Sequence, residues 1–295
     1  MKTLIAIPVM GSYEIGRIAL YQFDRTASPD AHFLLIDNGG PASQYPALFD
    51  RGFLDPNRWS YHANDSNIGL VASCQQAYNF ALGMDADILV LTHNDVWLYP
   101  EMSMQTDNYD EDIGIAATPW DESIDFLFNN GDAYCIAGID RGNREYANLG
   151  VIGLFGSKGC GREGHRLDTF GSLIEIAGHG RKMTEWIEPA VCLDGFFLAC
   201  SMKMLREAGG FDQRYEWHHV YDYDISLTSI ELGYRNAVIN IPCHHLSGLT
   251  ANNAAFATSG PDVHTANYER WKAKWSAKLG LTVNENWEYA WRVGQ

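Results

Sequence analysis

The sequence predicts an α/β fold, a mostly parallel sheet flanked by helices. Short apolar, β-branched runs alternate with longer stretches whose apolar residues recur at helical spacing, the pattern of strand–helix–strand units. Two of the short runs end abruptly in polar turns that carry carboxylates, Asp37-Asn38-Gly39-Gly40 and His93-Asn94-Asp95. Such strand ends are where open parallel sheets bind ligands.

In chain order, residues 3–7 read as a buried strand ended by Pro8, which has no N–H for a ladder. Residues 14–23 follow as a helix with Ile15, Ile18, Ala19 and Phe23 on one face. Residues 32–36 are a second apolar strand, ending in the Asp37 turn, and 59–62 a third. Over 69–82, Leu70, Cys74, Ala77, Tyr78 and Ala81 share a helix face, with Gly83 as the stop. Residues 88–92 form the strand that enters His93-Asn94-Asp95.

Beyond residue 107 the pattern weakens. Residues 113–117 and 149–155 read as strands, and 128–148, rich in Asn, Gly and Asp, as a surface excursion. Residues 156–164 are glycine-rich but lack the G-K-[ST] ending of a phosphate loop, which excludes a nucleoside-triphosphatase. Residues 190–200 are strand-like and lead into a helix through Leu205 that Gly209-Gly210 ends. A helix over 222–232 turns Ile225 and Ile230 inward, 237–241 is the last strand, and a basic amphipathic helix covers 268–279. There is no internal repeat. The economical organisation is one domain over residues 1–250, followed by a lid segment and helical tail over 251–295.

At 295 residues, 46% hydrophobic and 20% charged, the chain can bury one large core or two modest ones. Its net charge of −16 argues against nucleic acid as a partner, and an anionic substrate would need a local cation. The six cysteines are scattered with no C-x-x-C pair, which argues against a disulfide framework and fits a reducing cytoplasm. No apolar run approaches the ~20 residues that span a bilayer. The opening ten residues are too short for a signal's apolar region and cleavage site. The expectation is a cytoplasmic protein without a transmembrane segment.

The stretch richest in chemistry is 216–227, Glu-Trp-His-His-Val-Tyr-Asp-Tyr-Asp-Ile-Ser-Leu. Asp222 and Asp224 beside Trp217, Tyr221 and Tyr223 offer flat faces for a pyranose and a base for its hydroxyl. The same residues also suit a helix start with Asp as its cap. His93 and Asp95, two apart on a turn at a strand end, are spaced to reach one divalent cation, or Asp95 simply caps that turn. His244 and His245 follow a strand near the other end of the chain and join them only if the sheet brings the two ends together. In Asp194-Gly195-Phe196-Phe197 the glycine permits either close approach to a ligand or a tight bend. Asn67-Ile68-Gly69 reads as a helix N-cap.

In this order the segments resemble glycosyltransferase family 2, whose fold is GT-A, over about residues 3–248. The Ile7-Pro8 strand end, the Ile36-Asp37-Asn38-Gly39 turn, the Asn67-x-Gly69 helix start and the Leu91-Thr-His-Asn-Asp-Val96 strand end follow the family order. The second half looks like the subgroup called glycosyltransferase-like. It carries Leu193-Asp194-Gly195-Phe196-Phe197-Leu198-Ala199, then Gly210-Phe211-Asp212, then His219-Val-Tyr221-Asp222-Tyr-Asp224.

The resemblance implies a GT-A-type nucleotide-binding sheet merged with an acceptor-binding half. It implies that Asp95, at the second acid of the family's D-x-D motif, holds Mn2+ or Mg2+ on the donor diphosphate. That motif reads His93-x-Asp95 here, and His245 takes the place of a histidine that completes the metal shell. Asp222 takes the place of the general base, with Tyr221 where the family has Glu. Asp37 takes the place of the residue that contacts the nucleoside, Pro8 lines the base pocket, and Asn67 and Gly69 fall on the donor side. Asp194, Gly195, Trp217 and Tyr221 fall on the acceptor side.

The function so implied is metal-dependent, inverting transfer of a hexose from a UDP-, GDP- or dTDP-linked donor to a hydroxyl, the acceptor being a carbohydrate. Residues 250–260 would be a lid that excludes water. Two other readings stay open. One is a metal-dependent hydrolase with His93, Asp95 and His244 or His245 as ligands. The other is a non-catalytic nucleotide-sugar or carbohydrate-binding module, since two family acids are replaced.

Overall fold

Along the first strands, apolar residues run without a polar break and their side chains divide alternately between two cores. Leu4, Ala6, Leu34, Ile36, Leu89 and Leu91 enter one cluster, while Ile5, Ile7, Phe33, Leu35, Ile88 and Val90 enter the other. Strands buried on both faces are what helix-covered parallel sheets require. The computed structural model describes residues 1–11, 13–98, 119–130, 148–156, 164–169, 172–177, 187–190, 192–246 and 261–279. The expected strand at 113–117 and lid at 250–260 lie outside these residues, as do most of 128–148 and of the glycine-rich stretch.

The first half runs β1 (Thr3–Val9), α1 (Tyr13–Thr26), β2 (His32–Asp37), α2 (Pro46–Asp50), β3 (Trp59–Ala63), α3 (Leu70–Met84), β4 (Ile88–Thr92) and β5 (Val96–Leu98). After α4 (Trp120–Asn130) come β6 (Leu149–Gly156), β7 (Gly164–Thr169), β8 (Ser172–Ala177), β9 (Ile187–Ala190), β10 (Cys192–Leu193) and β11 (Phe197–Ser201). The described chain closes with α5 (Met202–Ala208), α6 (Tyr221–Glu231), β12 (Arg235–His245) and α7 (Pro261–Leu279).

Among the described residues the main sheet has nine strands in the order β3-β2-β1-β4-β11-β6-β12-β5, with β9 also paired to β12. The block β3-β2-β1-β4 is wholly parallel. Strand β11 then runs antiparallel to both β4 and β6, and β12 runs parallel to β6. Two reversals restore the direction, so β12 points the same way as β4. A smaller sheet, β10-β7-β8, is antiparallel.

Several elements differ from the sequence reading. Pro8 does not end β1, which continues to Val9. The pairing with β4 stops at Ala6, while that with β2 runs on to Val9, so Pro8 sits where one side of the strand is unpaired and a missing N–H is harmless. Gly83 does not stop α3. The helix continues to Met84, and Asp85 takes the left-handed turn at φ 54°, a conformation that Asp tolerates better than most residues. The last strand is longer than 237–241 at both ends because its far half gains β5 as a partner. Residues 128–130 close α4 rather than open a loop, and Asp121 on that helix accepts from the Ser28 backbone N–H at 2.8 Å. The β7–β8 pair falls where no periodicity was legible.

Helix α7 shares the main core. Trp271 and Trp275 are fully buried in the cluster that also holds Val71, Leu205 and Ile225. Two tryptophans bury ~150–250 Å² each, roughly 4–6 kcal/mol apiece as an upper bound at ~25 cal/mol per Å².

Candidate active site

Because β4 and β12 point the same way, their carboxyl ends share one edge of the sheet. His93-Asn94-Asp95 leaves β4 there and turns back into β5, whose pairing with the end of β12 sets His245 opposite Val96. Backbone bonds fix both segments: His93 N–H donates to the Phe196 carbonyl at 3.0 Å and Leu246 N–H to the Asp95 carbonyl at 3.0 Å. His245 Nε2 lies 3.4 Å from Asp95 Oδ1, and His93 Nδ1 lies 4.0 Å from the same oxygen. The His245 ring stacks on Phe196, with centroids 4.9 Å apart.

One ligand atom from each of His93, Asp95 and His245 lies within 4.8 Å of the others, as one cation would require. Asp95 Oδ1 and His245 Nδ1 are buried yet make no hydrogen bond. Buried polar atoms are rarely left so, and a bound ion is one of the usual reasons. Burial pushes the Asp95 carboxyl up, but contact with His245 and the proximity of His93 outweigh it and hold the group below its ordinary value. Burial draws the His93 imidazole below its ordinary value. A carboxylate beside two imidazoles is a donor set that suits a borderline divalent ion. The expected trio is therefore brought together.

Phe196 and Gly195 belong to the turn between β10 and β11, at the same edge, and α6 begins beside it. Asp222, in the first turn of α6, accepts from Gly195 N–H through Oδ2 at 2.8 Å and from Tyr223 N–H through Oδ1 at 3.0 Å. It is 8% exposed. Burial, with the nearby Asp194 charge second, raises its pKa to about 7 against the pull of those backbone N–H groups. A carboxylate so tuned is a usable base near neutral pH.

The close approach expected at Gly195 is made by the chain itself. A Cβ there would lie 2.3 Å from the Tyr221 hydroxyl and 3.1 Å from Asp222 Oδ2. The expectation that Tyr221 faces an acceptor is corrected for the same reason. Its ring is buried, and its hydroxyl lies 3.2 Å from the Gly195 carbonyl and 3.4 Å from His93 Nε2. Trp217 is half-buried, and Asp194 Oδ1 accepts from Phe196 N–H at 3.2 Å.

The segment ahead of Asp222 is strained. Trp217, His219 and Val220 have φ of 59°, 71° and 69°, left-handed values that are unusual for such residues, above all a β-branched valine. Such conformations cost of order 1–3 kcal/mol each and persist only where the surroundings impose them. Asn267 on α7, which sequence reasoning missed, supplies much of that constraint. It accepts from Glu216 N–H at 3.0 Å and donates to the Glu216 and His218 carbonyls at 2.7 and 2.9 Å. On the other side Gly69, at φ 83°, lets the Trp217 backbone come close, since a Cβ would sit 2.8 Å from Trp217 Cα. Val71 N–H then donates to the Trp217 carbonyl at 3.0 Å.

On the donor side, Gly69 is the residue that caps α3, and Asn67 Oδ1 accepts from Gly69 N–H at 2.9 Å to form the turn before it. Asp37 sits at the end of β2, 1% exposed. Its carboxylate accepts from Gly39 N–H at 2.8 Å, from the Ser43 hydroxyl and from the Tyr61 hydroxyl at 2.6 Å. Pro8 pairs with Ile36 on the adjacent strand. Asp224, two residues past Asp222, faces the other way. It accepts from the Tyr215 hydroxyl, Trp275 Nε1 and Lys274 Nζ, each at 2.8 Å, and so ties α6 to α7.

No protein-family model matches the chain, and no curated protein matches it at a significant level. Solved structures do. GalNAc-T7 with UDP, GalNAc and Mn2+ superposes with a TM-score of 0.55 at 13% identity, covering 92% of this chain and 47% of that one. TarS of S. aureus in complex with UDP-GlcNAc superposes with a TM-score of 0.50 at 11% identity, covering 81% and 56%. The chain thus spans about half the length of the solved structures it matches. No described helix is long and apolar enough to cross a membrane. With its parallel β3-β2-β1-β4 block, its antiparallel β11 and its candidate site at the shared strand edge, the chain has the GT-A fold.

Proposed function

We propose that this chain transfers a sugar from a nucleotide-sugar to an acceptor hydroxyl, with Asp222 as the base and His93, Asp95 and His245 as the ligands of Mn2+ or Mg2+. One observation supports it above the rest: a His-Asp-His cluster with two unsatisfied buried atoms, Asp95 Oδ1 and His245 Nδ1, and a buried carboxylate with a pKa of about 7 border the same turn, residues 194–196. A divalent cation held there would neutralise the donor diphosphate and supply the local positive charge that a chain of net charge −16 lacks. The neighbours GalNAc-T7 and TarS, solved with UDP or UDP-GlcNAc, support a nucleotide-sugar donor, and the donor in this reading is UDP-, GDP- or dTDP-linked.

In this reading the nucleoside lies across the ends of β1 and β2, against Pro8 and the loop that Asp37 braces through Gly39, Ser43 and Tyr61. Asn67 and Gly69 shape the same side. Trp217 offers a half-buried ring to a carbohydrate acceptor, and Asp194 lies near it as a polar contact. Asp222 removes the acceptor proton as its oxygen attacks. One base serving one in-line displacement gives inversion at the anomeric carbon. The four described cysteines, Cys74, Cys192, Cys200 and Cys243, are buried and in no disulfide, which supports a cytoplasmic setting.

The test is a thermal-shift series with UDP-, GDP-, dTDP- and CMP-sugars, with Mn2+ and with EDTA, followed by product analysis at the anomeric centre. A donor at ~100 times its dissociation constant adds ~2.7 kcal/mol of stability. Stabilisation by one donor class only with metal, and an inverted product, is the expected result. Tight Mn2+ binding with ester hydrolysis and no donor effect would replace this reading with a metallohydrolase.

A further inference from the structure

Tyr221 is a buried phenol with two polar neighbours, the Gly195 carbonyl at 3.2 Å and His93 Nε2 at 3.4 Å. A carbonyl only accepts, whereas a phenol has one proton to give and lone pairs to receive. A neutral imidazole carries one proton on one of its two nitrogens. Only two arrangements exist. If Nε2 carries the proton, His93 donates to the Tyr221 oxygen and Tyr221 donates to Gly195, so both contacts are hydrogen bonds. If Nδ1 carries it, the single Tyr221 proton serves either Nε2 or the Gly195 carbonyl, and the other contact is left without a hydrogen bond. The Nδ1 proton would gain little, because Asp95 Oδ1 is 4.0 Å away. The first arrangement makes two bonds and the second makes one.

Resting on the metal site proposed above, we infer that Tyr221 is the positioning residue that holds the His93 imidazole as its Nε2–H tautomer, so that the bare Nδ1 lone pair faces Asp95 and the cation. An imidazole that ligates through one nitrogen needs its other N–H engaged, or ring orientation and tautomer are both left free. Gly195 is part of the device: any side chain there would occupy the place of the Tyr221 hydroxyl. Tyr221 also precedes Asp222, so the residue that sets the metal ligand and the residue that takes the acceptor proton are neighbours on one turn of α6.

The experiment is 15N NMR of the imidazole nitrogens in the full chain without metal, at about pH 8 where histidine is neutral, joined to Mn2+ titration of wild type and Tyr221→Phe. His93 in the wild type is expected as the Nε2–H tautomer. Tyr221→Phe, which removes only the hydroxyl, is expected to mix the tautomers and to weaken Mn2+ binding by about 10–100-fold. An Nδ1–H tautomer in the wild type overturns the inference, and needs no mutant to be seen. Unchanged Mn2+ affinity in a folded Tyr221→Phe overturns it as well. A wild type with the Nε2–H tautomer but no Mn2+ affinity supports the role of Tyr221 and overturns the metal reading instead.

Discussion

His245 stands directly opposite Val96 in the β12–β5 ladder, and that register position delivers its ring to within 3.4 Å of Asp95. A shift of one residue would turn His245 to the other face of the sheet and bring His244 into its place. The His93-Asp95-His245 cluster is therefore a product of strand pairing, and it is as well determined as the pairing.

Asp95 is the residue on which the cluster turns, since both imidazoles lie within 4.0 Å of its Oδ1. Asp95→Ala is expected to abolish Mn2+-dependent binding of the donor while leaving the fold intact. Calorimetric titration with donor, in Mn2+ and in EDTA, checks this. Equal wild-type affinity in the two buffers would remove the metal from the mechanism.

Asp222→Asn keeps the side-chain shape and removes the proton acceptor. Turnover is expected to fall by ~10²–10⁴-fold with donor affinity nearly unchanged. In the wild type, kcat/KM should rise with pH through about 7, because the base works only when ionised and its folded pKa lies there. An acid limb near 4 would assign the proton transfer to another group.

The same carboxyl makes stability pH-dependent in a defined direction. Its folded pKa of about 7 lies above the ordinary 3.8, so between these values the native state holds a proton that the unfolded state has lost. Stability must then fall as pH rises across that window. Asp222→Asn does not titrate. Wild type should lose ground to it in urea midpoint from about pH 4 to above pH 7, and hold a constant difference outside that range.

Asp224 accepts from Tyr215, Trp275 and Lys274 and touches nothing at the candidate site. Asp224→Asn leaves the Lys274 ammonium with Asp212 alone, at 3.2 Å, and weakens the bonds from Tyr215 and Trp275, so it is expected to cost about 1–3 kcal/mol of stability. Donor affinity in the folded fraction should be unaltered. A dead but fully stable Asp224→Asn beside an active Asp222→Asn would exchange the two roles.

Asp37 is expected to act on the nucleoside through the loop it holds. Asp37→Ala frees Ser43, Tyr61 and the Gly39 N–H together, and donor affinity should drop by about 1.5–3 kcal/mol, the range for bonds to a charged group. The measurement is a dissociation constant for the nucleotide alone. No change would move the nucleoside away from β2.

The parallel half was legible because its strands are buried on both faces and end in polar turns; residues 32–36 and 88–92 needed nothing else. Pro8 misled because only the lengths of the neighbouring strands reveal that one side of β1 is free there. The β7–β8 hairpin left no periodic trace. Of His244 and His245, local pattern cannot select one, since ladder register decides. Tyr221 was assigned to an acceptor because aromatics near carboxylates suit sugars. Its inward turn depends on the space left by Gly195, distant in sequence and adjacent in the fold. Asn267 carried no signal at all, because its importance lies in the carbonyls of another segment.

The left-handed run at Trp217, His219 and Val220 is held from α7 by Asn267. During synthesis the donor-side strands and the histidine–aspartate cluster leave the ribosome before residue 267 does. The left-handed stretch ahead of Asp222 can therefore make its Asn267 bonds only after the whole His93-Asp95-His245 cluster has emerged. A nascent chain stalled at the end of β12 would hold every member of that cluster yet lack the side chain that fixes the turn before Asp222.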